Sequence, residues 1–315
     1  MSNRSEKTGE SDAVVFATFA QDDESLIHIV YLAESIREFG GICKDAPIWV
    51  YLPDDFRAID SGFYDRLENL NVEMKTATMP ADAGWFYYAG KTFASGQAEA
   101  DAQGKFAVLV WLDEDTIFLR EPADLLLKAN IDFAYRPIMH NRSGTLYGQP
   151  TGEFWGRIYK LLELDPEKQF AMVTPADRQT VRAYFNAGIL AVRPEIGILR
   201  GWGESFKTLY RDSTLARMCR DDVEKRIFLH QTALVGPVMH KVRKERMTEL
   251  SGQYNYPIFF KKMYGAENEF DDISDVVTLR YDFYFRNPEP DWAEQLKGPD
   301  NVIAWMKSRL GKRQL

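Results

Sequence analysis

Cysteine is almost absent: Cys43 and Cys219 are the only two in 315 residues. Two thiols so far apart give neither a disulfide framework nor a thiolate metal site, and they fit a reducing compartment. Long apolar runs are missing as well. No stretch approaches the roughly 18 apolar residues that a spanning helix needs, so no membrane span is expected. Residues 1–12 are polar, lack the apolar segment of a secretory leader and are expected as a disordered tail. Cytoplasm is the expected location. Positive charge is in deficit, with a formal net charge of -8. That argues against a broad electrostatic grip on nucleic acid or anionic lipid. Internal repeats and low-complexity tracts are lacking too.

The composition otherwise suits one large α/β domain, with 45% hydrophobic and 27% charged residues. Residues 13–20 (AVVFATFA) and 48–52 (IWVYL) are short β-rich apolar runs, and 72–77 is a third strand candidate. Between the first two, Asp22-Asp23-Glu24 offers helix-capping residues, Leu26, Ile27, Val30, Ala33 and Ile36 recur at helical spacing, and Gly40-Gly41 stops the helix. A helix-prone stretch at 94–102 precedes a run from Phe106 to Leu112. Further strands are expected at 116–119, 131–135 and 187–192, and a helical piece at 155–164 lies within an otherwise irregular stretch, 137–180. Trp202, Phe206, Leu209 and Tyr210 form a core-facing helical stripe. The alternation of strands and helices predicts a mostly parallel sheet flanked by helices.

Three segments carry chemistry. The first is Leu112-Asp113-Glu114-Asp115-Thr116, where a buried apolar run stops at two carboxylates. Side chains at i and i+2 of an extended chain point the same way, so Asp113 and Asp115 form a pair. In open α/β sheets ligands bind at the carboxyl ends of strands. Like charges placed there call for a cation, and oxygen ligands favour Mg2+ or Mn2+ over zinc. The second is Phe185-Asn186-Ala187-Gly188-Ile189, with an amide suited to a sugar hydroxyl and a glycine that permits close backbone approach. The third is His230-Gln231, read as a pair just ahead of an Ala-Leu helix start.

In this order the segments resemble the retaining family-eight glycosyltransferases of GT-A fold, the glycogenin and bacterial galactosyltransferase group. The resemblance covers roughly residues 13–282 and leaves 283–315 as a C-terminal helical extension. It implies a nucleotide-sugar donor, with UDP as the expected carrier, a hydroxylated acceptor, Mn2+ or Mg2+, and transfer of a hexose with retention; a homodimer is allowed for. Thr18, Phe19, Ala20 and Asp23 would hold the nucleotide, and Lys91 the donor sugar or its phosphate. Asp113 and Asp115 would bind the ion. Asn186, Gly188 and His230 would face the donor sugar, and Gln231 the side attacked in a retaining reaction. Arg142, Tyr147, Trp155 and Tyr159 are candidates for the acceptor.

Two positions depart from the pattern. The family's Asp-Gln is His230-Gln231 here. Its third metal ligand, a histidine, falls near Arg280, and a guanidinium cannot ligate a metal. Either Arg280 takes over part of the charge neutralisation, or Asp282 supplies the third ligand, or the protein binds a nucleotide sugar without transferring it. A haloacid-dehalogenase-type phosphatase, in which the first Asp is a nucleophile, is a further alternative.

Overall fold

The computed structural model describes residues 14–57, 62–258, 272–281 and 292–310. The expected tail and Asp282 lie outside the described residues. Strand β1 (Val14–Phe19) leads into helix α1 (Asp23–Phe39), whose N-cap Asp22 accepts from the Ser25 N–H at 2.9 Å. Strands β2 (Ile48–Pro53) and β3 (Val72–Ala77) flank α2 (Gly62–Asn69), and α3 (Ala89–Ala102) precedes β4 (Val108–Leu112). Then come β5 (Thr116–Phe118), β6 (Phe133–Pro137), α4 (Gly152–Leu161) and the short strands β7 (Ala171–Val173) and β8 (Thr180–Arg182). Strand β9 (Phe185–Val192) is followed by α5 (Ile198–Tyr210), α6 (Ser213–Asp221), α7 (Val223–Ala233) and α8 (Val235–Lys241). Strands β10 (Met247–Glu249), β11 (Tyr256–Pro257) and β12 (Thr278–Arg280) and helix α9 (Asp300–Arg309) complete the described elements.

The central sheet has seven strands in the order β10-β6-β9-β4-β1-β2-β3. It is parallel except for β9, which runs against both β4 and β6. The sheet is covered on both faces, so its central strands are apolar throughout rather than alternating. Val15 and Ala17 of β1 and Leu109 and Trp111 of β4 face the core shared with α3 and α5. Val14, Phe16, Val108 and Val110 face the core under α1. A smaller three-stranded sheet, β11-β12-β5, carries its own core with Trp292, Trp305 and Met306.

Several boundaries differ from those read in the sequence. The strand expected at 131–135 begins at Phe133, because Ile131 closes a turn onto the Lys128 carbonyl at 2.9 Å. The helix expected at 155–164 is α4, and Glu163, at φ 54°, lies in the left-handed region, where a helix cannot continue. The irregular 137–180 stretch contains the β7 strand of a hairpin closed by β8, with strands too short to show alternation. His230-Gln231 lies inside α7, near its end, rather than in a loop; α7 is capped by Asp222, whose carboxylate accepts the Glu224 and Lys225 N–H groups, and the helix that follows Ala233-Leu234 is α8.

Candidate active site

The site forms at the carboxyl edge of the sheet because three elements end or begin there together. Strand β4 stops at Leu112, and the Asp113 N–H donates to the Gly188 carbonyl at 2.9 Å. Since β9 is antiparallel, its first residues, Phe185 to Gly188, lie beside the end of β4. Helix α3 returns to the start of β4, so its first turn, with Lys91, stands over the same edge. Beyond Asp115 the chain enters β5, which pairs with β12 so that Arg280 sits opposite Thr116. The Tyr281 N–H donates to the Asp115 carbonyl at 3.3 Å, continuing that pairing.

This framework brings together Lys91, Asp113, Asp115, Asn186, Gly188, His230, Gln231 and Arg280. Lys91 Nζ donates to Asp113 Oδ1. Arg280 Nη1 lies 3.1 Å from Asp113 Oδ2, and its Nε lies 2.9 and 3.2 Å from the two oxygens of Asp115. All four carboxylate oxygens are thus engaged by cationic side chains of the chain itself. Burial would raise the pKa of Asp113, but the charges of Lys91 and Arg280 outweigh it and hold the carboxyl below its ordinary range. Glu114 between them goes the other way: burial, then Asp115 and Asp113, push its carboxyl up to about 8.

Asn186 Oδ1 accepts from the Gly188 N–H at 2.7 Å and from Asn255 Nδ2 at 3.1 Å. Gln231 Oε1 accepts from the Ala187 N–H at 3.1 Å, which ties α7 to β9. A Cβ on Gly188 would stand 2.9 Å from Asp113 Oδ2 and 3.1 Å from Arg280 Nη1. The glycine therefore makes room for the ion-pair cluster. Burial, then Lys91, push the His230 imidazole down to about 3, so it is neutral. Its Nδ1 faces the Ile227 carbonyl at 2.8 Å; that acceptor places the proton on Nδ1 and leaves Nε2 as an acceptor.

Two cavities open on this edge. The larger, of about 220 Å³, is lined by Lys91, Asn186, Gly188, His230 and Gln231; the smaller, of about 70 Å³, by Asp22, His28, Tyr87, Glu114 and Asp115. Tyr88, Asp113 and Arg280 belong to both. Thr18, Phe19, Ala20 and Asp23 line neither. Of the acceptor candidates, Arg142 lines the larger cavity and Tyr147 is exposed, but Trp155 and Tyr159 are core residues, with the Trp155 indole donating to the Ser143 carbonyl at 2.7 Å. The sequence carries no cue to Tyr88, whose ring lies 4.6 Å from that of His230 and 5.1 Å from Lys91 Nζ. Nor did it single out Asn255, although its φ of 54°, a conformation asparagine tolerates better than most residues, is a backbone consequence of that residue choice.

The expected divalent ion finds a poor donor set. Among the described residues no group of three or more His, Cys, Asp or Glu side chains can hold a metal ion. Asp113 and Asp115 are both bound to guanidinium or ammonium groups, and Arg280 occupies the bridging position between them. These residues do not fit a divalent cation as they stand.

The fold is a largely parallel α/β sheet flanked by helices, with this polar edge at its carboxyl side. Residues 16–242 match the Rhodobacterales glycosyltransferase domain, and the chain belongs to that family. That family is one of glycosyltransferases, which sets the phosphatase alternative aside. Among solved structures the chain is similar to the WbbM bifunctional glycosyltransferase (17% identity, TM-score 0.48, 96% of this chain and 52% of that one). It is also similar to the galactosyltransferase LgtC (14%, 0.48, 95% and 96%) and to mouse xyloside xylosyltransferase 1 (9%, 0.49, 88% and 100%). The chain spans about half the length of the WbbM structure. Among curated proteins nothing matches the chain. No helix among the described residues is long and apolar enough to cross a membrane.

Proposed function

We propose that the protein transfers a hexose from a nucleoside diphosphate sugar, with UDP as the carrier, to a hydroxyl acceptor. The observation that carries this is the junction of the two cavities at Tyr88, Asp113 and Arg280. The sugar would occupy the larger cavity, where Asn186, Gln231 and the His230 Nε2 acceptor offer partners for hydroxyl groups. The nucleoside would lie toward the smaller one, where Tyr87, 61% exposed, offers a ring face for stacking. The diphosphate would cross the junction between them.

Departure of a nucleoside diphosphate from an oxocarbenium-like centre is the demanding step, because negative charge grows on the leaving oxygen. Preorganised cations at that point lower the barrier most. Lys91 and Arg280 stand at the junction. Retention at the anomeric carbon follows from the family-eight resemblance, with Gln231 on the attacked side. The acceptor would enter over the loop that carries Arg142, on the open side of the larger cavity.

A screen of nucleotide sugars, read by melting shift and by release of nucleoside diphosphate, tests the proposal. A UDP-sugar should raise the melting temperature and be slowly hydrolysed without acceptor, and NMR of the product should give the anomeric outcome. Absence of any shift or hydrolysis across UDP-, GDP- and dTDP-sugars would sink it. A shift without release would instead favour a donor-binding protein that does not catalyse transfer.

A further inference from the structure

We propose that Arg280, together with Lys91, does the work of a divalent ion in this enzyme, and that donor binding requires no metal. The inference rests on the nucleotide-sugar assignment above. Its basis is the geometry at the head of β4. A bridging metal would have to lie between Asp113 and Asp115, and that place is taken by the Arg280 guanidinium, with Nη1 at 3.1 Å from one carboxylate and Nε at 2.9 Å from the other. Lys91 holds the remaining Asp113 oxygen. Two monovalent side chains thus supply the charge that one divalent ion would bring.

Arg280 is built into this position. Its backbone is fixed by the β12–β5 pairing, opposite Thr116, one residue from Asp115. The next residue, Tyr281, is buried, its N–H donates to the Asp115 carbonyl at 3.3 Å, and its hydroxyl lies 2.7 Å from His28 Nδ1. Gly188 lacks the Cβ that would press on Nη1. Arg280 reaches its partners from a strand rather than from a mobile loop. Its side chain keeps 20% exposure and lines both cavities. A guanidinium has five N–H donors in a planar fork, so it can meet several acceptors at once; here Nε serves Asp115 and Nη1 serves Asp113. In this arrangement the Asp pair does not ligate an ion. It holds Arg280 and Lys91 at the cavity junction, so that both are in place before the diphosphate arrives.

The test titrates the full chain with UDP by calorimetry, once in EDTA and once in Mn2+. Free Mn2+ is followed separately by electron paramagnetic resonance. The expected result is the same affinity in both buffers, within about a factor of three, which is under 1 kcal/mol. Arg280→Ala should weaken UDP about tenfold or more, the worth of a charge-assisted hydrogen bond. Arg280→Lys should keep part of that affinity, and its folding controls for any collapse of Arg280→Ala. Arg280→His should make UDP binding respond to Mn2+ and should take up Mn2+ from solution, since an imidazole then joins two released carboxylates. Wild-type binding of UDP only in Mn2+, or uptake of Mn2+ by the wild type, overturns the inference. If UDP binds in neither buffer, the donor assignment fails instead. The resonance titration needs no nucleotide and still decides the cation question: uptake by Arg280→His alone supports the inference, and uptake by the wild type refutes it.

Discussion

Lys91 and Asp113 form a buried ion pair 22 residues apart, from the first turn of α3 to the end of β4, with side chains only 9% and 6% exposed. Breaking such a pair leaves an uncompensated buried charge, typically costing about 3–5 kcal/mol. Lys91→Met should therefore destabilise the protein by an amount in that range, with Arg280 limiting the loss. Asp113→Asn added to Lys91→Met should recover part of it, because the stranded charge is gone. Urea unfolding of the two variants measures this. Equal destabilisation of both would mean that Lys91 acts through packing alone.

Gly188→Ala should impair donor binding more than folding. The new methyl would press on Asp113 Oδ2 and Arg280 Nη1, both inside the ion-pair cluster, and 3.0 Å from Asn186 Oδ1. The expected signature is a UDP affinity lowered by about tenfold, the effect of losing one charge-assisted contact, with a melting temperature within a few degrees of wild type. A large melting loss with unchanged UDP binding would contradict this.

The neutral His230 predicts a pH dependence of stability. Its folded-state pKa is depressed to about 3, while an unfolded imidazole titrates near its usual value of about 6.5. Its contribution is therefore fully present above about pH 6.5 and is lost as pH falls toward 3, at ~1.4 kcal/mol per pH unit. The charged and titratable groups that set this are Lys91, which opposes protonation, and Asp113, which favours it. The Tyr88 ring packs alongside. His230→Asn should flatten the stability profile between pH 6 and 4. Chemical denaturation across that range, on wild type and variant, is the measurement, and parallel profiles would refute it.

Arg142 pairs with Glu224 at 3.4 Å, with both side chains more than 40% exposed. Such surface pairs contribute about 0–1 kcal/mol, so Arg142→Ala should leave stability nearly unchanged. If the acceptor enters past this loop, the variant should raise the acceptor KM severalfold while donor hydrolysis without acceptor stays at the wild-type rate. A matching fall in both rates would place Arg142 with the donor.

The apolar run of β4, the helical stripe of α5 and the capped start of α1 are legible in the sequence because local periodicity and capping chemistry decide them. The grouping of Asp113, Asn186 and Gly188 was legible for a different reason: each sits where a strand starts or ends. What the sequence does not carry is the neighbourhood created by distant chain. Arg280 reaches Asp113 and Asp115 only because β12 pairs with β5 across more than 150 residues. Tyr88 meets His230 only because α3 and α7 stand over the same edge. His230 falls inside α7, whose weakly amphipathic pattern shows no clear stripe, and Trp155 and Tyr159, acceptor candidates in the sequence, are core residues.

The antiparallel match of β4 with β9 has an evolutionary consequence. Residues 109–112 pair one to one with 192–189, and the side chains at alternate positions face opposite sides of the sheet. Inserting or deleting one residue within β9 would turn Asn186 and Gly188 away from Asp113 together, since slippage by one inverts a strand's faces. The loop between β6 and α4 is tied by an isolated antiparallel bridge, Leu146 to Val181, rather than by a strand register along its length. Lineages descending from this chain can vary that rim, while the edge that would meet the donor stays locked to the count of residues in a single strand.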